Sequence, residues 1–203
     1  MKKVLFTAVV VLLGLGNVSA QEVKFGAKVG LNSSNFTGDL EDSDAKIGFN
    51  LGAFAEISLS DKFIFQPELL FSTQGASLED STDSEAYKQT IKANYLNIPL
   101  LIKYGITDKF ALEFGPQLGF LLSAKAKVEE TFDGETISIE QDIKDSFKSI
   151  DFGLNFGASF DVAENIMIGA RYNLGLSDIT DGEDSEDFKV QNAVFSFSVG
   201  YRF

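Results

Sequence analysis

Alternation of apolar and polar residues that persists to the final residue constrains this chain more than any other feature. Its last ten residues read "VFSFSVGYRF", with Phe195, Phe197, Val199, Tyr201 and Phe203 on one parity and Ser196, Ser198, Gly200 and Arg202 on the other. Strict period-2 patterning marks a strand whose two faces meet different surroundings. A terminal strand that carries four aromatics on one face needs that face covered and its edge paired.

Seven further runs share the pattern, over residues 23–31, 47–59, 63–74, 95–104, 110–123, 150–161 and 166–176, and the closing run starts near residue 191. Their connectors alternate in length: 60–62, 105–109 and 162–165 are short, whereas 32–46, 75–90, 125–149 and 177–190 are long. That alternation gathers every long loop at one end and both termini at the other. An even strand count with tight turns on one side and long loops on the other is the layout of a bacterial outer-membrane barrel. The expected fold is all-β: an eight-stranded antiparallel up-and-down transmembrane barrel with four long external loops and three short periplasmic turns. In that fold lipid covers the aromatic face, and pairing with the first strand removes the free edge. "DKF" recurs at 61–63 and 108–110, each time as a tight turn that sets a phenylalanine at a strand start, the level of an interfacial aromatic girdle. A soluble barrel with its faces swapped would have to hold too many Phe, Leu and Ile in an eight-stranded interior.

Residues 1–20 read as a cleaved secretory signal peptide: Lys2 and Lys3, then an apolar run over 4–16, then Val18-Ser19-Ala20. The apolar run is shorter than the roughly 20 residues of a spanning helix. The barrel domain is then 21–203, with 15 basic residues left against 30 acidic ones once Lys2 and Lys3 are removed from 17. So acidic a chain does not suit a nucleic-acid partner. It contains no cysteine and no histidine, which removes disulfides, the commonest general base and the commonest metal ligand.

Three prolines, Pro67, Pro99 and Pro116, lie inside the runs, where each removes a ladder hydrogen bond, so bulges or ladder breaks are expected there. The parity opposite the apolar face assigns a polar lumen: Lys24, Lys28, Glu56, Glu68, Lys103, Glu113, Asp151, Arg171 and Arg202, with Asn50, Gln66, Asn97, Gln117, Asn155 and Asn173. Eight strands enclose only enough space for side chains to fill. Charges packed there should pair, as a structural plug or as a narrow gated pore. Inward glycines, Gly26 and Gly52 among them, leave room for the long side chains.

The four long connectors hold 21 of the 30 acidic residues and seven lysines. "SDITDGEDSEDFK" (177–189) has six acids, but not the spacing of a dedicated calcium loop, and reads as a solvated loop. "TFDGETISI" (131–139) has the form of a hairpin around Asp133-Gly134 and could extend the strands into a docking edge or a rigid scaffold.

The stretches "KFGAKVGLNSSNF", "FQPELLFSTQGA", "YLNIPLLIKY", "GPQLGFLLSAK", "DFGLNFGASF", "ARYNLGLSDI" and the terminal "GYRF" resemble the PorT-like outer-membrane barrels of Bacteroidota. The resemblance implies an outer-membrane location and carries no catalytic motif. Tyr201 and Phe203 look like the C-terminal aromatic signal read by the barrel-assembly machinery. Expected partners are outer-membrane lipid, that machinery and a protein bound through the acidic loops; no cofactor or metal is expected. A non-enzymatic envelope barrel is the leading function. An accessory secretion subunit, a small porin and an enzyme are the competing classes, and the missing histidine weighs against the last.

Overall fold

The computed structural model describes residues 22–39, 43–81, 85–132, 135–181 and 189–203, so the expected signal peptide lies outside the described residues. Nine strands form among them: β1 (Val23–Gly38), β2 (Asp44–Ser58), β3 (Phe63–Ser81), β4 (Glu85–Gly105), β5 (Phe110–Phe132), β6 (Glu135–Asp142), β7 (Ile150–Asp161), β8 (Ile166–Gly175) and β9 (Val190–Arg202). A short 3₁₀ turn spans Lys144–Ser146. All pairings are antiparallel, and β1 pairs with both β2 and β9 while β4 pairs with β5. The sheet therefore closes into the expected ring of eight strands, and β6 stands outside it, paired with the far end of β5. The β1–β9 seam runs from Gly26 opposite Arg202 to Gly38 opposite Val190, which pairs the alternating C-terminal strand along its length.

The strands run further than the alternation predicted. Much of 32–46, 75–90 and 125–149, assigned to connectors, is strand, because above the apolar belt the alternation changes its polarity while the ladder continues. The expected hairpin is formed by β5 and β6; Asp133 and Gly134 at its tip lie outside the described residues. At the other end the turns are tight and built alike. Ser60 Oγ accepts the Phe63 N–H at 3.2 Å, and Thr107 Oγ1 accepts the Phe110 N–H at 3.0 Å, so a hydroxyl one residue before each "DKF" closes the turn.

Within the belt the apolar parity points outward. Val23, Phe25, Val29 and Leu31 on β1, Leu112, Phe114 and Leu118 on β5, and Phe195, Phe197, Val199 and Tyr201 on β9 are all exposed. The run 23–31 has nine residues, close to the 9–11 that a tilted strand needs to cross a bilayer. Aromatics line the short-turn rim, with the Phe63 and Tyr104 rings 5.2 Å apart and Tyr201 and Phe203 5.8 Å apart.

Each proline marks a break in the ladder. Pairing stops at Phe54/Glu68 and resumes at Ile57/Phe65; it stops at Pro67/Leu100 and resumes at Leu70/Asn97; it stops at Pro99/Gln117 and resumes at Ile102/Phe114. Register resumes unshifted each time, so parity survives all three prolines. The register shifts lie elsewhere, between Ala45 and Asn50 of β2 and between Asn94 and Tyr95 of β4. Beside these breaks the backbones approach closely. A Cβ on Gly52 would sit 1.9 Å from the Leu69 carbonyl oxygen, and one on Gly115 would sit 2.0 Å from that of Leu100. Only glycine fits there.

Gly52→Ala and Gly115→Ala are each expected to cost about 1–3 kcal/mol through forced backbone shifts. Gly105→Ala, whose nearest neighbour would be 3.7 Å away, should be neutral. Urea titration of the refolded barrel, read as the folded band on unheated gels, separates the two outcomes.

Candidate functional site

The inward parity of eight strands converges on one axis, and the belt forbids polar side chains on the other parity, so the charged groups of the strands collect inside. From the short-turn end they form one chain of ion pairs. Asp161 accepts from Arg202 at 2.8 Å, and Arg202 also donates to Glu56 at 2.7 Å. Glu56 takes Lys103 at 2.8 Å, and Lys103 lies 3.8 Å from Glu113. Glu113 accepts from Arg171 at 2.7 Å. Arg171 forks onto Glu68 with bonds of 2.8 and 2.9 Å, and Glu68 closes the chain on Lys28 at 3.1 Å. Four cations meet four carboxylates, so the buried array is neutral. The two-bond fork of Arg171 on Glu68 is the strongest geometry such a pair has.

Lys28, Glu56, Glu68, Lys103, Glu113, Arg171 and Arg202 are all buried in this array. Two residues that parity assigned to it lie elsewhere. Lys24 stands at the rim with 49 % of its side chain exposed and pairs with Glu22, because parity fixes the face of a residue and not its height. Asp151 is buried higher up, where it accepts from Ser177 Oγ at 2.8 Å and from Asn192 at 2.9 Å, and Asn192 also donates to the Tyr95 hydroxyl at 3.4 Å. Asp161 was missed. It follows Phe160 on the correct parity, but as the last residue of a run it reads as the start of a turn.

Apolar side chains share the lumen too. Phe54 and Met167 fill the short-turn end: a Cβ on Gly26 would lie 2.2 Å from the Phe54 ring, and one on Gly200 2.7 Å from Met167. Above the ion pairs is an amide layer, in which Asn50 donates to Asn32 at 2.6 Å, Asn32 to Ser72 at 3.0 Å and Asn173 to Asn155 at 3.2 Å. A cavity of about 30 Å³ lies between, lined by Arg171, Lys28, Asn32, Asn50, Ser72 and Asn155. It has space for about two waters, and the buried Arg171 Nε has no protein partner.

The long-loop end is closed by apolar packing that alternation did not reveal. Phe36, Ala76, Ala93, Tyr95, Leu121 and Ala124 on the strands meet Phe147 and Ile179 from the loops, with Val190 at the start of β9. The two loops are tied by a bridge between Phe147 and Thr180 and by Lys148, whose ammonium donates to Asp178 at 2.5 Å. Burial opposes ionisation of Asp178. Hydrogen bonds from Lys148, from Thr180 and from the Val190 N–H outweigh it and hold the carboxyl well below the usual carboxylate range. Among the described residues no three Asp or Glu are placed to hold a metal ion, and residues 182–188 of the acidic run lie outside the described residues.

An outward apolar belt, a closed ring and an inward array of balanced ion pairs describe a membrane barrel, and the sequence comparisons agree. The family model "Outer membrane protein beta-barrel domain" matches residues 19–181. The chain belongs to that family. Barrels of this family lie in the bacterial outer membrane. A search of curated proteins finds no sequence match. Among solved structures, the chain is similar to Neisserial surface protein A at 12 % identity and a TM-score of 0.53, covering 90 % of this chain and 99 % of that one. It is also similar to Ail, the attachment invasion locus protein of Yersinia pestis, at 15 % identity and a TM-score of 0.48, with the same coverage. At such identity the likeness to the Neisserial protein speaks for the fold alone.

Glu68→Gln should destabilise the barrel by about 3–5 kcal/mol, since it strips Arg171 and Lys28 of their shared carboxylate. Lys24→Gln should stay within about 0.5 kcal/mol. Denaturant unfolding in detergent compares them. The depressed Asp178 carboxyl contributes stability that is present above its ordinary unfolded value and is lost only as pH falls through the lower folded one. Hydrogen exchange of the backbone amides near Asp178 should therefore show undiminished protection from pH 7 to pH 5 once corrected for intrinsic rates, and Asp178→Asn should lower protection across that range.

Proposed function

We propose that the protein is a non-enzymatic outer-membrane barrel that conducts nothing and acts through the surface it raises outside the cell. The observation that carries this reading is the sealed axis. Among the described residues a neutral ion-pair chain, an amide layer and an apolar cap follow one another, and the cavity between the first two has space for about two waters. An enzymatic role finds little support, since the chain lacks the histidine that most hydrolytic sites use as base. Asp151 and Tyr95 are buried at the level of the cap, with the half-buried Ser177 beside Asp151, and no histidine accompanies them. The polar array is then structural, a filling that holds eight strands in register.

Two finer expectations belong to the same reading. Residues 1–20 direct export and are cleaved. Tyr201 and Phe203, exposed on the terminal strand at the short-turn rim, are presented to the barrel-assembly machinery. The PorT-like resemblance of the quoted stretches favours a second reading, in which the barrel is an accessory subunit of an outer-membrane secretion complex.

Two measurements test these readings. In planar bilayers the purified barrel should give no unitary current steps, and steady conductance steps would sink the sealed-lumen proposal. After mild extraction from its own membrane following light crosslinking, a defined large assembly containing secretion components would favour the accessory subunit. Migration as one barrel with its detergent would remove that reading.

A further inference from the structure

Beyond the belt the barrel wall continues on one side only, as a blade made of β3, β4, β5 and β6. Its two faces differ. On the outward face, charges pair one against another across the strands: Lys88 with Glu79, Lys127 with Glu129 at 2.8 Å, and Glu140 shared by Lys125 at 2.7 Å and Lys92 at 3.4 Å. The other face continues the interior of the barrel. Register sets Ile91 beside Ala126, Gln89 beside Val128, and Val128 beside Ile139, so an apolar stripe leads from the cap to β6.

β6 ends that stripe without cover. Every one of its eight residues is exposed, with Ile137 at 68 % and Ile139 at 66 %. Among the described residues β6 pairs only with β5, so its other edge presents free N–H and C=O groups. Lipid cannot cover the isoleucines. They sit opposite Glu130 and Val128, six or more residues past Leu122, the last belt residue of β5, and so roughly 20 Å along the strand beyond it. Natural sheets guard such edges with lysine, proline or a bulge. β6, "ETISIEQD", has no lysine and no proline, and its pairing with β5 runs unbroken.

We propose that β6 is a docking edge that takes an extended segment of a partner protein as an added strand, one with alternate apolar side chains and a basic residue at one end. This rests on the proposed interaction role and names its site. Backbone pairing would supply the attachment, and side chains on alternate positions the selectivity. Ile137 and Ile139 would meet the apolar positions. On the same face Glu135 precedes them on β6 and Glu130 stands across from Ile137 on β5, neither with an ion-pair partner among the described residues, and they supply the charge that a basic residue answers. A second copy of this chain does not suit the edge, because two β6 strands paired antiparallel about their centre set Glu135 against Asp142 at both ends.

The test uses the whole barrel in nanodiscs and a fluorescent peptide that alternates valine and threonine between flanking lysines. Fluorescence anisotropy should show saturable binding above that of empty nanodiscs. Affinity should fall about tenfold in Ile137→Glu/Ile139→Glu and several-fold in Glu130→Gln/Glu135→Gln. The same peptide N-methylated at alternate residues cannot complete a ladder, and should bind wild-type protein about tenfold more weakly whatever the variants do to the hairpin. Absence of saturable binding, or equal binding of the N-methylated peptide, would overturn the docking edge. Unchanged binding in both variants would do the same. None of these results touches the sealed lumen, which the current recordings test separately.

Discussion

The fork between Arg171 and Glu68 sits at the centre of this molecule because the belt leaves charges nowhere else to go. On the lipid side a lysine or arginine near the midplane costs about 2–4 kcal/mol, and the outward parity within the belt carries almost none. The charges the strands carry within the belt are therefore turned inward, into a space that eight strands make too narrow for bulk water. There each charge needs a partner. Arg171 joins Glu68 and Glu113, and through them Lys28, Lys103, Glu56, Arg202 and Asp161, residues drawn from all eight strands of the ring. A net charge among them would be a buried unpaired charge. Neutrality of this ion-pair array in so acidic a chain follows from that penalty.

The same constraint decides what could be read from the sequence. Where lipid and a narrow lumen face each other across one strand, alternation states both the strand and its orientation, and the eight runs give the ring with most of its buried charges. Alternation does not state height. Lys24 and Lys28 look equivalent as inward lysines two turns of the pleat apart, yet one reaches solvent at the rim and the other is enclosed beside Glu68. Asp151 likewise has the parity of the array and the height of the layer above it. The prolines weaken the ladder in adjacent strands at staggered positions, but each interruption skips whole pairs, so orientation carries across it. What moves the register is the pair of irregularities near Asn50 and Tyr95, and nothing in local composition announces them.

The cap was hidden for a different reason. Along β1 the inward positions pass from Lys28 through Asn32 and Ser34 to Phe36, and along β4 from Lys103 through Asn97 and Tyr95 to Ala93. The polarity of the inner face thus reverses on the way out of the membrane. Within the bilayer the outside is hydrocarbon and polar groups go in; beyond it the outside is water and apolar groups go in. A period-2 pattern read against one rule fades where the other takes over, and the strand looks like loop. Phe147 and Ile179 come from segments with no alternation at all, and only the closed ring brings them together over the mouth.

That reversal also locates the part of the molecule available for work. The bilayer enforces one rule all round the belt, and a soluble core enforces the other within the cap, so neither leaves apolar surface unspent. The blade is governed by neither. Its outward face is settled by paired charges, while its inner face runs past the cap and arrives at Ile137 and Ile139 with water on every side. A strand edge with two exposed isoleucines costs solubility and invites chance pairing, and a merely structural extension could replace both with polar residues at no loss of ladder. Their position, at the far end of an otherwise self-consistent polarity scheme, is what an incoming strand would complete.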